Sequence, residues 1–551
     1  MHSKIWIASL LALVPATSMA ATYTVGPTGR QYTQLTTLVN NIDLAPGDVV
    51  LVDGNATYNG GIVVGDDDSG TATSPVTIRW TRGAGQTRPI LRGGTNTIKF
   101  EQSNHVVFEG FEVTGGSNTC VFSESHGLVA RDNVIHDCPS HGVLAADQNS
   151  GSLTFEYNEV YRSGAGTSRH SMYIQSDEVA FPGAVFRMRF NYVHDGNGGI
   201  LMRTRHERSE IYYNWFEGST NEEVEFIGPD CHTQKPGWTP DLRREDTDFV
   251  GNVVVHTSTW RDAIRAGGDL DGRSQGRVRM VNNTVLFPRG GTAVGVRVLL
   301  GVESLEAHNN VFHQTGSGPL IILEEEHEPE TPFCAPLGTT PWVNGRKVAG
   351  SNNWIKSGST FVPAEWSATR SGSDPRFSDV PARDLRPALG SGLIDAGNGQ
   401  PTTPTGFPFP SPLRLPAYDP PLHGKMANGG HRARAVVGAR IDIGALEQAG
   451  AGTSTPIPRN GSRPLLPPRP ATVGGTSGLS GQAAWASPDV HGSSQGAGQQ
   501  PGQGTKAWQW RWSGLPASLT GVSASLPFPL GQLVVSWNFL WLLAWAGSTP
   551  V

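Results

Sequence analysis

An unusual density of charge falls in GGILMRTRHERSEIYYNWFEGSTNEEVEFIGPD, residues 198–230, where Arg203 and Arg205 are followed by Glu223 and Glu225. Arginine can clamp a carboxylate through two parallel hydrogen bonds, and paired glutamates are hard oxygen ligands for a cation such as calcium. Six further residues complete a chemistry. Arg265 and Arg297 add positive charge, Trp238 and Trp260 offer flat apolar faces for sugar rings, and His170 and Tyr173 are bases of more suitable pKa than any arginine. Such a set suits β-elimination from a uronic acid polysaccharide. That reaction needs a cation beside the uronate carboxylate, a base for the C5 proton and an acid for the leaving oxygen.

Strands must position these groups. Side chains alternate along a strand, so reading GGILMRTR and EEVEFIG as strands puts Ile200, Met202, Val224 and Phe226 inward. Leu201, Arg203, Arg205, Glu223 and Glu225 then face solvent. Aligning all such strands gives one outward column of Leu144, Tyr173, Leu201, Glu225, Arg265 and Arg297, and a neighbouring one of Ala146, Gln175, Arg203, Ile227 and Gly267. At roughly 4.8 Å between stacked strands, Tyr173, Arg203, Glu223, Glu225 and Arg265 share one patch. The insertions DEVAFPGAV and PDCHTQKPGWTPDLRREDTD form walls beside it, and a groove along the stack fits an extended polymer.

A loose repeat supplies the stack. An Asn, any residue and then an apolar residue recur at Asn133, Asn158, Asn191, Asn214, Asn252, Asn283 and Asn310, at solenoid spacing. Each is followed by a second strand, from HGVLAAD to GPLIILEEE. Stacked turns pair every backbone group and line up the Asn amides at a bend where they can bond one another. Before the repeat, Tyr32, Leu35, Leu38, Val39 and Ile42 recur at helical spacing and predict a capping helix. Asn-Gly hairpin turns do not separate the strands regularly, which argues against a β-sandwich.

These features resemble the right-handed parallel β-helix of the pectate lyase superfamily, over roughly residues 22–448, with DLRPALGSGLIDAG and IDIGALEQ as closing segments. RTRHERSEIYYN, residues 203–214, is similar to the Lys-Ser segment of the chondroitinase B and alginate lyase family. That likeness implies Arg203 in the place of the family's lysine base. It also implies a calcium site built from acidic side chains, for which Glu223 and Glu225 are of the right type. The family's second arginine has Glu225-Phe226-Ile227-Gly228 at its matching place here, with Arg265-Ala266-Gly267 one turn further on.

The remaining sequence bounds the setting. Residues 1–20 read as a secretory signal peptide, with Lys4 ahead of the apolar run Ile5–Val14 and cleavage before Ala21. A secreted or periplasmic monomer is expected, with the β-helix domain at 21–448. Residues 449–551, rich in Gly, Pro, Ser and Gln, read as a disordered tail whose final apolar run is too short for stable membrane insertion. A net charge of −6 over 551 residues carries no basic footprint for nucleic acid. Export permits disulfides, and the repeat favours Cys120 with Cys138 and Cys231 with Cys334. On the plainest reading the Arg and Glu residues are salt bridges on a strand face, and His170 bonds backbone at a bend. A hydrolase using two carboxylates, a C5-epimerase and a non-catalytic glycan-binding solenoid remain alternatives to the lyase.

Overall fold

The computed structural model describes residues 20–228, 245–268, 274–326 and 341–449. Among them, three parallel sheets of 13, 12 and 10 strands run from Thr22 to Gly372, most turns giving one strand to each sheet. One turn reads Leu128–Arg131, Val134–Cys138 and His141–Ala145, and its strands pair with their equivalents one turn away. This is the expected right-handed parallel β-helix. Inward residues stack in files, such as Ile135, Val160, Val193, Phe216, Val254, Val285, Phe312 and Ile355, all buried. Burying one such side chain stabilises by about 1.5–3 kcal/mol, so the files are the main apolar support of the stack.

The Asn residues occupy the bend between the first and second strands of a turn. Asn214 Oδ1 accepts from Asn191 N–H at 3.0 Å, and Asn214 Nδ2 donates to Met188 O, Tyr212 O and Asn252 Oδ1, each at 3.0 Å. The same pattern runs from Asn133 to Asn310 and continues one turn beyond the predicted set, to Asn353. The residue before each Asn has left-handed backbone, which is costly for a bulky side chain. In three consecutive turns it is aromatic, Tyr157, Phe190 and Tyr213, with φ of 57°, 60° and 57°. Their rings stack at 5.0 and 5.4 Å, which offsets that cost.

Two expectations are corrected. The capping helix is only Leu35–Val39, with Leu35 and Leu38 buried, because Pro46-Gly47 and the strand Val49–Val52 follow so soon. Strands of the stack begin at Thr22, as the resemblance over roughly residues 22–448 implies. The repeat also stops short of Gln448, since the last strand to join a parallel sheet is Arg370–Gly372. After an antiparallel pair, Phe377–Asp379 with Asp384–Pro387, the chain returns along the outside of earlier turns as a strap. Leu385, Leu393, Ala396, Ile443 and Leu446 bury themselves there against Trp215, Val253 and Leu286.

Cys120 and Cys138 form the expected disulfide. Cys231 and Cys334, the signal peptide up to residue 19 and the tail from residue 450 lie outside the described residues. Among the described residues no helix is long and apolar enough to cross a membrane.

Candidate functional site

The 10-stranded sheet carries the predicted patch. Its register places Lys99, Phe122, Leu144, Tyr173, Arg203, Glu225, Arg265, Arg297 and Glu324 in one outward column. Arg203, not Leu201, therefore lies between Tyr173 and Glu225, and Arg205 pairs with Gln175 in the next column. The sequence alignment slips by two residues at this strand. Gly199, with φ 58°, bends the chain before it, so the strand opens at Met202. Leu201, expected at the surface, is fully buried in the core cluster.

Charge is then arranged tightly. The Arg203 guanidinium lies 5.4 Å from the Tyr173 ring centroid and 3.2 Å from the Glu225 carboxylate. Arg265 bonds the other Glu225 oxygen and comes within 3.4 Å of Glu222. Arg205 Nε donates to Tyr173 Oη at 2.9 Å, and its Nη1 bonds Gly228 O. Arg297 contacts Asp262 at 3.3 Å and Glu326 at 2.7 Å. Glu223 and Glu225 do not face open solvent as expected: both are fully buried, and Arg205 nearly so. Buried carboxylates survive only when paired, and here the cations of neighbouring turns pair them.

His170 is also buried, at the edge of the Tyr173 ring, with centroids 5.3 Å apart. Its Nδ1 accepts the Ile200 backbone N–H at 3.1 Å, so the neutral ring carries its proton on Nε2. Burial, reinforced by Arg203, pushes its pKa well below the usual imidazole range. With its Nδ1 lone pair spent on backbone, the buried His170 is poorly placed to act as a base. His141 repeats this one turn earlier, accepting from His170 N–H at 3.1 Å, and burial pushes it down to about 4. That leaves Tyr173 as the base candidate of suitable chemistry, with the Arg205 charge placed at the oxygen that proton loss would leave negative.

The pair proposed for calcium is otherwise engaged. Glu223 Oε2 meets His256 Nδ1 at 2.5 Å while Oε1 accepts Ser219 N–H at 3.2 Å, and Glu225 lies between two guanidinium groups. Among the described residues no cluster of three or more His, Cys, Asp or Glu could hold a metal ion, and these two carboxylates do not fit calcium. His256 was not found in the sequence. It follows the short strand Val253–Val255 at a bend, where neither alternation nor the Asn signature marks it. Asp262 was also missed; burial pushes its carboxyl up to about 6 despite Arg297.

Of the aromatic platforms, Trp260 is partly exposed, in the bend that leads into the strand bearing Arg265. Trp238 lies outside the described residues, as does most of the second insertion. The first insertion folds down onto an earlier turn, where the Phe181 ring stacks on His126 at 4.7 Å. Its Glu178 is buried, which pushes the carboxyl up to about 8 from a usual 4.5, against hydrogen bonds from its own N–H and Ser176. The folded state thus holds a proton that the unfolded chain has lost. Stability should fall between pH 4.5 and about 8, by at most about 1.4 kcal/mol per pH unit from this group. Glu178→Gln should flatten that slope, as read from urea midpoints across the range.

Similarities to known proteins can be set beside this geometry. The family described as "Periplasmic copper-binding protein (NosD)" matches residues 37–227. No curated protein matches the chain. Among solved structures, pectate lyase Pel9A is 12% identical, covering 78% of this chain and 97% of its own, with a TM-score of 0.42. An alginate lyase from Paenibacillus sp. str. FPU-7 is 18% identical, covering 55% and 98%, with a TM-score of 0.34. A rhamnogalacturonan lyase is 15% identical, covering 66% and 91%, with a TM-score of 0.31.

Proposed function

We propose that the chain is an exported polysaccharide lyase, active in the periplasm or outside the cell, that cleaves an acidic, uronate-containing polymer by β-elimination. The observation that carries this reading is Tyr173 held at its oxygen by Arg205 and at its ring by Arg203. Arg203 meets the uronate carboxylate and stabilises the enolate-like intermediate. Tyr173, as the tyrosinate facing the Arg205 charge, takes the C5 proton, the C4–O4 bond breaks as the C4–C5 double bond forms, and the Tyr173 hydroxyl gives that proton to the departing oxygen on the same face, which restores the tyrosinate. This assigns the base to Tyr173 and leaves Arg203, the base implied by family likeness, as the carboxylate clamp, because a guanidinium rarely gives up its proton.

A second reading rests on one specific observation. Asp262 keeps its proton up to about pH 6, while Glu225 lies between two arginines. A protonated acid and an ionised partner are what an inverting hydrolase requires. The two reactions differ in their products. The purified chain, incubated with polygalacturonate, alginate and dermatan, should produce the ultraviolet absorbance of a 4,5-unsaturated uronate. New reducing ends without that absorbance would move the assignment to hydrolysis, and binding without either would leave a glycan-binding solenoid.

A further inference from the structure

We propose that Ser351, His308 and Glu306 form a second active site, on the outer face of the 13-stranded sheet, that hydrolyses small acyl esters of an alcohol through an acyl-serine intermediate. It uses none of the groups of the charged column, so it stands or falls apart from the polysaccharide reading.

The strands Ser304–His308 and Val348–Ser351 pair in parallel on neighbouring turns, with His308 opposite Ser351. Leu305 and Ala307 join the core, so alternation sends Glu306 and His308 outward. Ser351 Oγ lies 2.9 Å from His308 Nδ1, and His308 Nε2 lies 2.9 Å from one Glu306 carboxylate oxygen. A carboxylate only accepts, so Nε2 carries the ring proton and Nδ1 offers its lone pair to the Ser351 hydroxyl. Thr403 Oγ1 donates to the other Glu306 oxygen at 3.3 Å and steadies it. A hydroxyl on a base that a third group orients is the contact order of an activated nucleophile. Ser258, His256 and Glu223 have the same order without the same tautomer. His256 Nε2 lies 2.7 Å from Trp260 O, a pure acceptor, so its proton points there and no lone pair is left for the Ser258 hydroxyl.

The strap supplies the remaining part. Asn398 Nδ2 lies 3.4 Å from Ser351 Oγ. The Asn398 N–H donates to Asn309 Oδ1 at 2.7 Å, its carbonyl accepts from Asn309 Nδ2 at 3.0 Å, and its Oδ1 accepts the Gln400 N–H at 3.0 Å. The side-chain amide is therefore held as a donor beside the reacting oxygen, where a tetrahedral intermediate places its negative charge. Ser351 is 9% exposed, Asn398 is partly exposed, and Gly399 and Gln400 after it are exposed. That narrow opening suits an acetyl-sized acyl group and not a long chain. Ser351 Oγ attacks the ester carbonyl carbon while its proton passes to His308 Nδ1, and the carbonyl oxygen, now negative, takes the Asn398 N–H. The bond from carbon to the alcohol oxygen then breaks, and the alcohol leaves with the proton from Nδ1. Water, giving a proton to the same nitrogen, attacks the acyl-serine. Departure of the carboxylic acid returns that proton to Ser351.

The test uses the full chain and two readouts. A fluorophosphonate, which reacts with an activated serine hydroxyl, should label wild-type protein at Ser351, as read by peptide mapping. The chain should hydrolyse p-nitrophenyl acetate, and p-nitrophenyl octanoate far more slowly. Ser351→Ala should lose the label and bring the rate down to that of buffer. Asn398→Ala should lower kcat about a hundredfold. Glu306→Gln should lower kcat with KM unchanged, because an amide no longer fixes the ring tautomer, a split that a merely structural role would not produce. Absence of label at Ser351, or a Ser351→Ala variant that hydrolyses the acetate as fast as wild type, would overturn the proposal. Equal rates on the octanoate would overturn the assignment to small acyl groups. The labelling needs wild-type protein alone, so it decides the matter even if a variant does not fold.

Discussion

Tyr173→Phe should lower kcat on the cleaved polymer by about a thousandfold, the usual scale for removing a positioned general base. The substitution deletes one oxygen and keeps the ring under the Arg203 guanidinium, so the cation–π contact at 5.4 Å survives. What is lost is the proton acceptor and the 2.9 Å bond from Arg205, at a cost of about 1–3 kcal/mol in stability. KM should change little, because Arg203 and the sugar platforms are untouched. Initial rates followed by ultraviolet absorbance decide the matter, with a folded-state check by circular dichroism. A kcat within tenfold of wild type would take the proton away from Tyr173. If hydrolysis is the true reaction, Asp262→Asn should abolish turnover instead.

Asn214→Ala should destabilise the fold by about 4 kcal/mol. Its amide receives the N–H of Asn191 on one side and reaches Met188 O, Tyr212 O and Asn252 Oδ1 on the other. Apart from the partly buried Tyr212 carbonyl, these groups are sealed from water between stacked turns, and Asn214 itself is fully buried. Alanine cannot replace any of the bonds, and each orphaned group bears its own desolvation cost. The loss should appear as a lower denaturant midpoint with an unchanged m-value. A loss below about 1 kcal/mol would mean that water or backbone shifts can satisfy the bend.

Much of this architecture was legible because its signals are periodic. The Asn signature and the alternation of apolar residues repeat every turn, and each turn makes the next easier to recognise. Asn353 escaped because 43 residues separate it from Asn310, with residues 327–340 intervening. The outward column was legible except at Arg203. There the period of two that fixes which face a residue occupies cannot say which row it joins, so a slip of two at Gly198-Gly199 preserved the face and changed the neighbours. Pairing was harder still. Alternation says that Glu225 points outward, yet only the three-dimensional register shows it sealed between Arg203 and Arg265. The contact between Glu223 and His256 spans 33 residues with no repeat to connect them.

The strap changes how the chain must come together. Solenoids are usually assembled from neighbouring turns alone, so that stability is nearly a sum of local terms. Here Asn398 bonds Asn309, Ser411 bonds Arg208 and Asp248, Lys425 reaches back to Asp132, and His431 meets the Tyr157 hydroxyl at 2.6 Å. The chain then doubles back, and Asp442 O and Gly444 O accept from Asn282. Turns that could stack one after another are therefore latched only when residues near 440 have come into place. Until then the early coils lack their outer partners, and vectorial folding ends in a single late locking step that makes distant turns stand or fall together.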